Sequence, residues 1–178
     1  MQTRNLRKWM SGLVVLLGLL AVNFGIWQKE RVLKQGAVMV LQLAPVDPRS
    51  LMQGDYMALD YAITRSLQQE LYQQRQVCDS VPSVSCLPLS GKIVVEMNEQ
   101  RQVIRAQFDH AEPLKPNELR VNYHMNAGTL RVGTDAYFFQ EGQGERFTRA
   151  RYGAFRVGED GTALLTAMLD ENGTMIQP

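Results

Sequence analysis

Few residues in this chain carry reactive side chains, and they are scattered. Cys78 and Cys86 are its two cysteines, at the ends of the turn-rich stretch CDSVPSVSC, and His110 and His124 are its two histidines. The histidines are too far apart in sequence to read as a metal-ligand motif, so each is expected at a surface or strand edge. The cysteine spacing is not C-x-x-C. A local disulfide is therefore expected if the surroundings are oxidising, with redox exchange or metal binding as alternatives. Closing so short a loop would contribute about 2 to 3 kcal/mol in the chain-entropy description. A Ser/Lys hydrolase can be drawn only from Ser50 and Lys92, but Ser50 sits too close to the Gly54-Asp55 turn and no wider nucleophile motif surrounds it. No phosphate loop, dinucleotide fingerprint or Cys/His cluster occurs, so no catalytic residue, metal or cofactor is assigned.

The remaining candidates are binding groups. Asp47, Arg49, Gly54, Asp55 and Tyr56 crowd one turn and the strand after it. Gly54 supplies a positive-φ corner, and Asp55 can accept backbone N–H bonds or pair with Arg49. Tyr56 falls on the strand face opposite Leu59 and Tyr61, where its ring can cover the turn or meet a ligand. The plainer reading is a motif that fixes turn and register. A second patch, Tyr137-Phe138-Phe139-Gln140-Glu141-Gly142-Gln143-Gly144, runs three aromatics into Glu141 and two glycines. An aromatic and carboxylate edge beside a flexible glycine lip suits a sugar, a peptide or a partner loop; a strand ending in a glycine turn explains the same letters.

The segment that positions all of these against a membrane is Met10 to Ile26, which carries no charge and has Trp9 and Trp27 on its flanks as interfacial anchors. Its backbone must be helical to cross lipid. Arg4, Arg7 and Lys8 precede it without an acidic residue, which favours a cytoplasmic N-terminus. Lys29, Arg31 and Lys34 pull the other way. A cleaved signal peptide is the rival, but the small-residue cleavage pattern is missing. The expected organisation is a cytoplasmic tip and anchor over 1–27, a juxtamembrane stalk over 28–36, and one domain over 37–178. Without Arg4, Arg7 and Lys8, the chain's 19 basic and 18 acidic residues become 16 and 18. A domain so nearly neutral gives no electrostatic reason to expect nucleic acid as a partner.

Within that domain Ala37 to Leu43 reads as a core strand and Tyr56 to Ile63 as a half-buried one, with Met57, Leu59, Tyr61 and Ile63 on one face. Thr64 to Gln76 changes to a helical period and is expected to be the one soluble helix, ending before the cysteine loop. Lys92 to Met97, Gln102 to Phe108, Leu119 to Met125 and Leu130 to Val132 read as successive hairpins, and Ala154 to Val157 with Thr162 to Leu169 as a last strand pair. The fold class is mainly β (α+β): a mostly antiparallel curled sheet or small barrel with one amphipathic helix, behind a single transmembrane helix.

Gly54-Asp55-Tyr56-Met57-Ala58-Leu59-Asp60-Tyr61 resembles the signature of the bacterial GDYXXLXY family at every specified position. Leu43 to Arg49 is similar to that family's approach to the signature, as are Glu141-Gly142-Gln143-Gly144 and the Asp160-Gly161 turn. The resemblance runs from about residue 37 to the end, the cysteine loop excepted. It implies a membrane-anchored protein of unassigned biochemical role, sometimes found beside multi-pass membrane proteins. The expected function is an extracytoplasmic binding or accessory module of the bacterial inner membrane, partnered by another envelope or multi-pass protein. A membrane-anchored hydrolase of peptide or cell-wall substrate is the alternative. A deep pocket joining Asp47, Asp55, Glu141 or a histidine would mark the second.

Overall fold

From Gln2 to Gln35 no proline interrupts the chain, and the computed structural model, which describes residues 2–44, 56–80, 88–126 and 128–177, has one continuous helix there, α1 (Gln2–Gln35). Its portion Gly12–Gln35 is long and apolar enough to cross a membrane, and its apolar window is not covered by the rest of the protein. The one polar side chain in that window's middle, Asn23, returns its amide to the Leu19 carbonyl at 2.9 Å, which satisfies it within the helix. Gly36 closes the helix by donating to Val32 O at 2.8 Å, and β1 (Ala37–Gln42) begins at the next residue.

β1 pairs antiparallel with β8 (Tyr152–Val157), and β8 with β9 (Ala163–Leu169). A second sheet has the order β4, β3, β5, β6, comprising β3 (Ser90–Met97), β4 (Val103–Phe108), β5 (Glu118–Asn126) and β6 (Thr129–Val132). The two are linked where Val40 N–H donates to Arg101 O at 2.9 Å and Val40 bridges Gln102. They meet again where Asn122 N–H donates to Gly161 O at 2.9 Å, so the whole curls into a mostly antiparallel half-barrel. Met39, Leu41, Ile93, Val95, Val121, Leu130, Val132, Phe155 and Met168 fill its concave side.

α2 (Ala62–Ser80) closes this core with Leu67 and Leu71, the pair one helical turn apart, both fully buried. It lies over the β5–β6 hairpin, where the Tyr72 hydroxyl donates to Gly128 O at 2.7 Å and Gln68 Nε2 to the same carbonyl at 3.3 Å.

Four expectations change. The helix starts two residues sooner and continues through Cys78 to Ser80 instead of stopping at Gln76, because no glycine or proline occurs before Pro82. The strand expected over 56–63 shortens to β2 (Tyr56–Ala58), since Asp60 and Thr64 turn the chain into α2. β4 and β5 are not a hairpin: the chain passes β3, and β5 pairs with β3 on the edge away from β4. The run Ile93-Val94-Val95 is buried on both faces, which suits a central strand, whereas β4 exposes Ile104 at 61 % and takes the outside. A four-residue helix, α3 (Gly144–Phe147), joins α2 in the domain, so α2 is not its one helix. The disulfide expectation falls on Cys86 and on the Cys78 side chain, which lie outside the described residues.

Candidate functional site

The two patches that stood out in sequence, some eighty residues apart, are hydrogen-bonded neighbours. β2 pairs antiparallel with β7 (Ala136–Phe138) in a separate two-stranded ribbon, with Tyr56 opposite Phe138, Met57 opposite Tyr137 and Ala58 opposite Ala136. Gly133 makes this return possible. It follows β6 at φ +70, where a side chain is strained, and a Cβ there would lie 2.7 Å from the Phe155 ring.

Strand alternation divides the ribbon into two faces. Inward, Met57 is buried, and the chain continues to Leu59 and Tyr61, each 3 % exposed. Tyr61 packs edge-on to Phe155 at 5.7 Å between ring centroids, and its hydroxyl donates to Thr134 O at 2.8 Å. Burial first, then the Asp135 carboxylate, pushes this phenol well above its ordinary pKa, with Arg131 opposing. It is a neutral donor committed to a backbone carbonyl, unsuited to act as a nucleophile or base. Arg131 lies beside it, with Nε 3.8 Å from Asp135 Oδ1 and a long 3.5 Å bond from Nη1 to Leu59 O.

Asp60 governs the exit from the ribbon. Its Oδ1 accepts from Tyr61 N–H at 2.9 Å and Thr64 Oγ1 at 3.2 Å, and its Oδ2 accepts from Arg65 at 3.3 Å. A carboxylate there satisfies groups at the start of α2 and complements the helix dipole.

Outward, the ribbon presents Tyr56, 42 % exposed, and Phe138, 75 % exposed, with ring centroids 5.8 Å apart. Of the three consecutive aromatics, Phe138 alone faces outward. Tyr137 and Phe139 both turn in against the buried Phe147 of α3, each at 5.1 Å between centroids. The expected aromatic edge of three rings is thus reduced to one ring, joined by Tyr56 from the other strand. The expected glycine lip is a tight turn with Gly142 at φ +81, followed by α3, which opens at Gly144. Glu141 is exposed on that turn and lines none of the cavities described below.

Asp47, Arg49, Gly54 and Asp55 lie outside the described residues, directly ahead of Tyr56. His110 is exposed on the loop after β4, and His124 is exposed on β5. Among the described residues no group of His, Cys, Asp or Glu is arranged to hold a metal ion.

The ribbon therefore joins two stretches of sequence into one unit, and their letters belong to one family. The family model described as GDYXXLXY protein matches residues 18–168, most of the chain. The chain belongs to the GDYXXLXY family. Neither a curated protein nor a solved structure is a match. In this GDYXXLXY protein the signature spans the ribbon and the helix start: Tyr56 on the outer face, Leu59 and Tyr61 in the core.

Phe138 belongs to the second sequence patch, but its separation from Tyr137 and Phe139 was not read there, although the alternation of Ala136-Tyr137-Phe138-Phe139 puts it opposite its two aromatic neighbours. Arg131 and Asp135 carried no signal, because the register that brings them to Tyr61 depends on the β2–β7 pairing.

The cavities among the described residues include the following three. One, of about 450 Å³, separates the end of α1 from the β8–β9 turn. Another is an open depression on the outer face of α2, lined by Arg65 and Tyr72. The third, about 50 Å³, lies by His110 and Glu118.

Proposed function

We propose that this protein is a single-pass accessory module of the bacterial inner membrane. In this reading α1 is the anchor, the N-terminus is cytoplasmic, and the β-rich domain lies on the periplasmic side. There it docks on another envelope protein, most simply a multi-pass one, through the outer face of the β2–β7 ribbon. The observation that carries the reading is the exposed Tyr56–Phe138 pair. Two large rings side by side on a short ribbon are what interface anchors look like: they bury much area at little cost in side-chain entropy. Asp47, Arg49, Asp55 and Glu141, close in sequence to these strands, are the polar groups proposed for the rim.

The helix supports the anchor, and the arginine and lysine residues before it support the orientation. An oxidising compartment also calls for a Cys78–Cys86 disulfide. Thiol labelling of cells tests both: the thiols should stay unlabelled until reductant is added, and immediate labelling would overturn the periplasmic placement.

Partner docking is tested by purifying the intact protein from native membranes in mild detergent after gentle crosslinking. One multi-pass protein should be recovered in stoichiometric amount, and Tyr56→Ala or Phe138→Ser should release it while the thermal midpoint changes little. Recovery of the protein alone, or a partner retained by both variants, would overturn the docking reading.

A further inference from the structure

The cleft between α1 and the β8–β9 turn lies outside the ribbon and has walls of opposite charge. Trp27, Lys29 and Arg31 line it from the helix, and Glu159 and Asp160 from the turn. Its shape is set by direct contacts between anchor and domain. Arg156 donates from Nη1 to Gly36 O at 2.9 Å, and Val32 packs so closely on Gly158 that a Cβ there would lie 2.9 Å from Val32 Cγ2. One residue, Gly36, separates α1 from β1.

Depth identifies what surrounds this cleft. The helix rises about 27 Å from position 9 to position 27 at 1.5 Å per residue, close to the ~30 Å of a bilayer's hydrocarbon core. Lys29 and Arg31 then stand roughly 3 and 6 Å beyond Trp27, within a headgroup layer about 5 to 7 Å thick. The acidic turn faces them at that level.

Neither Lys29 nor Glu159 has a hydrogen bond or ion pair among the described residues. The Arg31 guanidinium stands 5.9 Å from the centre of the Trp27 ring, with Nε donating to Gln35 Oε1 at 3.3 Å. Asp160 is held in its charged form by the Thr162 hydroxyl, at 2.7 Å, and the Thr162 N–H, at 2.9 Å.

We infer that this cleft binds the headgroup of a zwitterionic phospholipid with a primary ammonium, a phosphoethanolamine lipid, its phosphate on Lys29 and Arg31 and its ammonium on Glu159 and Asp160. An anionic headgroup would leave the acidic wall opposed by like charge. A trimethylated ammonium could not donate hydrogen bonds to it. The inference rests on the anchor part of the proposed function and is independent of the partner.

The test uses the full-length protein, delipidated in detergent and then placed in nanodiscs containing equal amounts of phosphatidylethanolamine, phosphatidylglycerol and phosphatidylcholine. Lipids retained on release are counted by native mass spectrometry. Phosphatidylethanolamine should be enriched. Glu159→Gln, an exposed turn substitution, should lower its retention roughly three- to tenfold, the value of one partly screened charge-assisted hydrogen bond. Lys29→Gln should weaken retention of every phospholipid. Equal retention of the three lipids, or enrichment unaltered by Glu159→Gln in a protein of unchanged thermal midpoint, would overturn the inference. Displacement of the lipid by an equimolar amount of soluble O-phosphoethanolamine would overturn a lipid as the occupant. Failure to enter nanodiscs would remove the anchor reading and this one with it, whereas entry without selectivity would remove this one alone. Loss of partner recovery with selectivity intact would count only against docking at the ribbon.

Discussion

Tyr56 and Tyr61 belong to one eight-residue signature, yet one ring lies against solvent and the other is enclosed by the core. They are five residues apart, and an odd step along an extended chain leads to the opposite face. Composition alone would give both tyrosines the same role. Their surroundings separate them: Phe138 is the ring contact of the outer tyrosine, while Phe155, Thr134 and the Arg131–Asp135 pair surround the inner one. If the ribbon docks as proposed, the family motif holds a folding half and an interaction half, and stability and docking should respond to different letters of it.

The strongest break of that division is Leu59→Ala. Leu59 is 3 % exposed among core neighbours, so truncation should cost about 2 to 5 kcal/mol, read as a large fall in the denaturation midpoint. A loss as small as that of an exposed-site variant would remove the folding half. Tyr61→Phe comes next. Deleting the hydroxyl leaves Thr134 O without its 2.8 Å donor at an unchanged ring, with an expected cost of about 1 to 2 kcal/mol.

Tyr61 also gives an alkaline signature. Its folded pKa is raised, so its contribution is complete below the unfolded value of about 10 and is lost as pH climbs beyond it, when the unfolded phenol ionises and the buried one does not. Tyr61→Phe should flatten that alkaline decline in the unfolding midpoint. A decline unchanged by the substitution would show that other groups cause it.

The outward tyrosine should give the reverse pattern. Tyr56→Ala should lower stability by no more than about 0.5 to 1.5 kcal/mol, the scale of one exposed aromatic pair, while abolishing partner recovery. Phe138→Ser should match it. A double substitution sharpens the comparison: if the rings act as one docking unit, the pair of changes should release the partner no more completely than either alone.

How much of this could be read in the letters depends on whether a feature is local. The buried face of Met57, Leu59 and Tyr61 follows from period two, and Leu67 with Leu71 follows from the helical turn, so both were legible. The Gly158 to Gly161 turn between the last strands was legible for the same reason. The cysteine spacing marks no helix end, because the nearest helix-breaking residue, Pro82, lies beyond Cys78. The path from β4 past β3 to β5 and the pairing of β2 with β7 are non-local, fixed by which strand buries both faces and by Gly133 turning the chain under Phe155. The candidate site follows that rule. Tyr56 was found from its own strand, but its companion Phe138 needed the register of a strand some eighty residues away.

The smallest expected effect lies at the opposite end of the domain, in the β8–β9 turn. The Asp160 carboxyl is held below its ordinary range, first by the Thr162 hydroxyl and then by the Thr162 N–H, with burial opposing and the Lys29 charge assisting. For a depressed carboxyl the stability it adds is present above the unfolded value of about 3.9 and fades as pH falls through the folded one. The turn's contribution should therefore be flat through neutral pH and decline only in acid, by a small amount because the group is exposed. Thr162→Ala should remove most of that acid-dependent part without touching the alkaline decline caused by Tyr61. If Thr162→Ala altered the alkaline limb instead, the turn and the ribbon would be energetically coupled, and folding and docking could no longer be assigned to separate parts of the molecule.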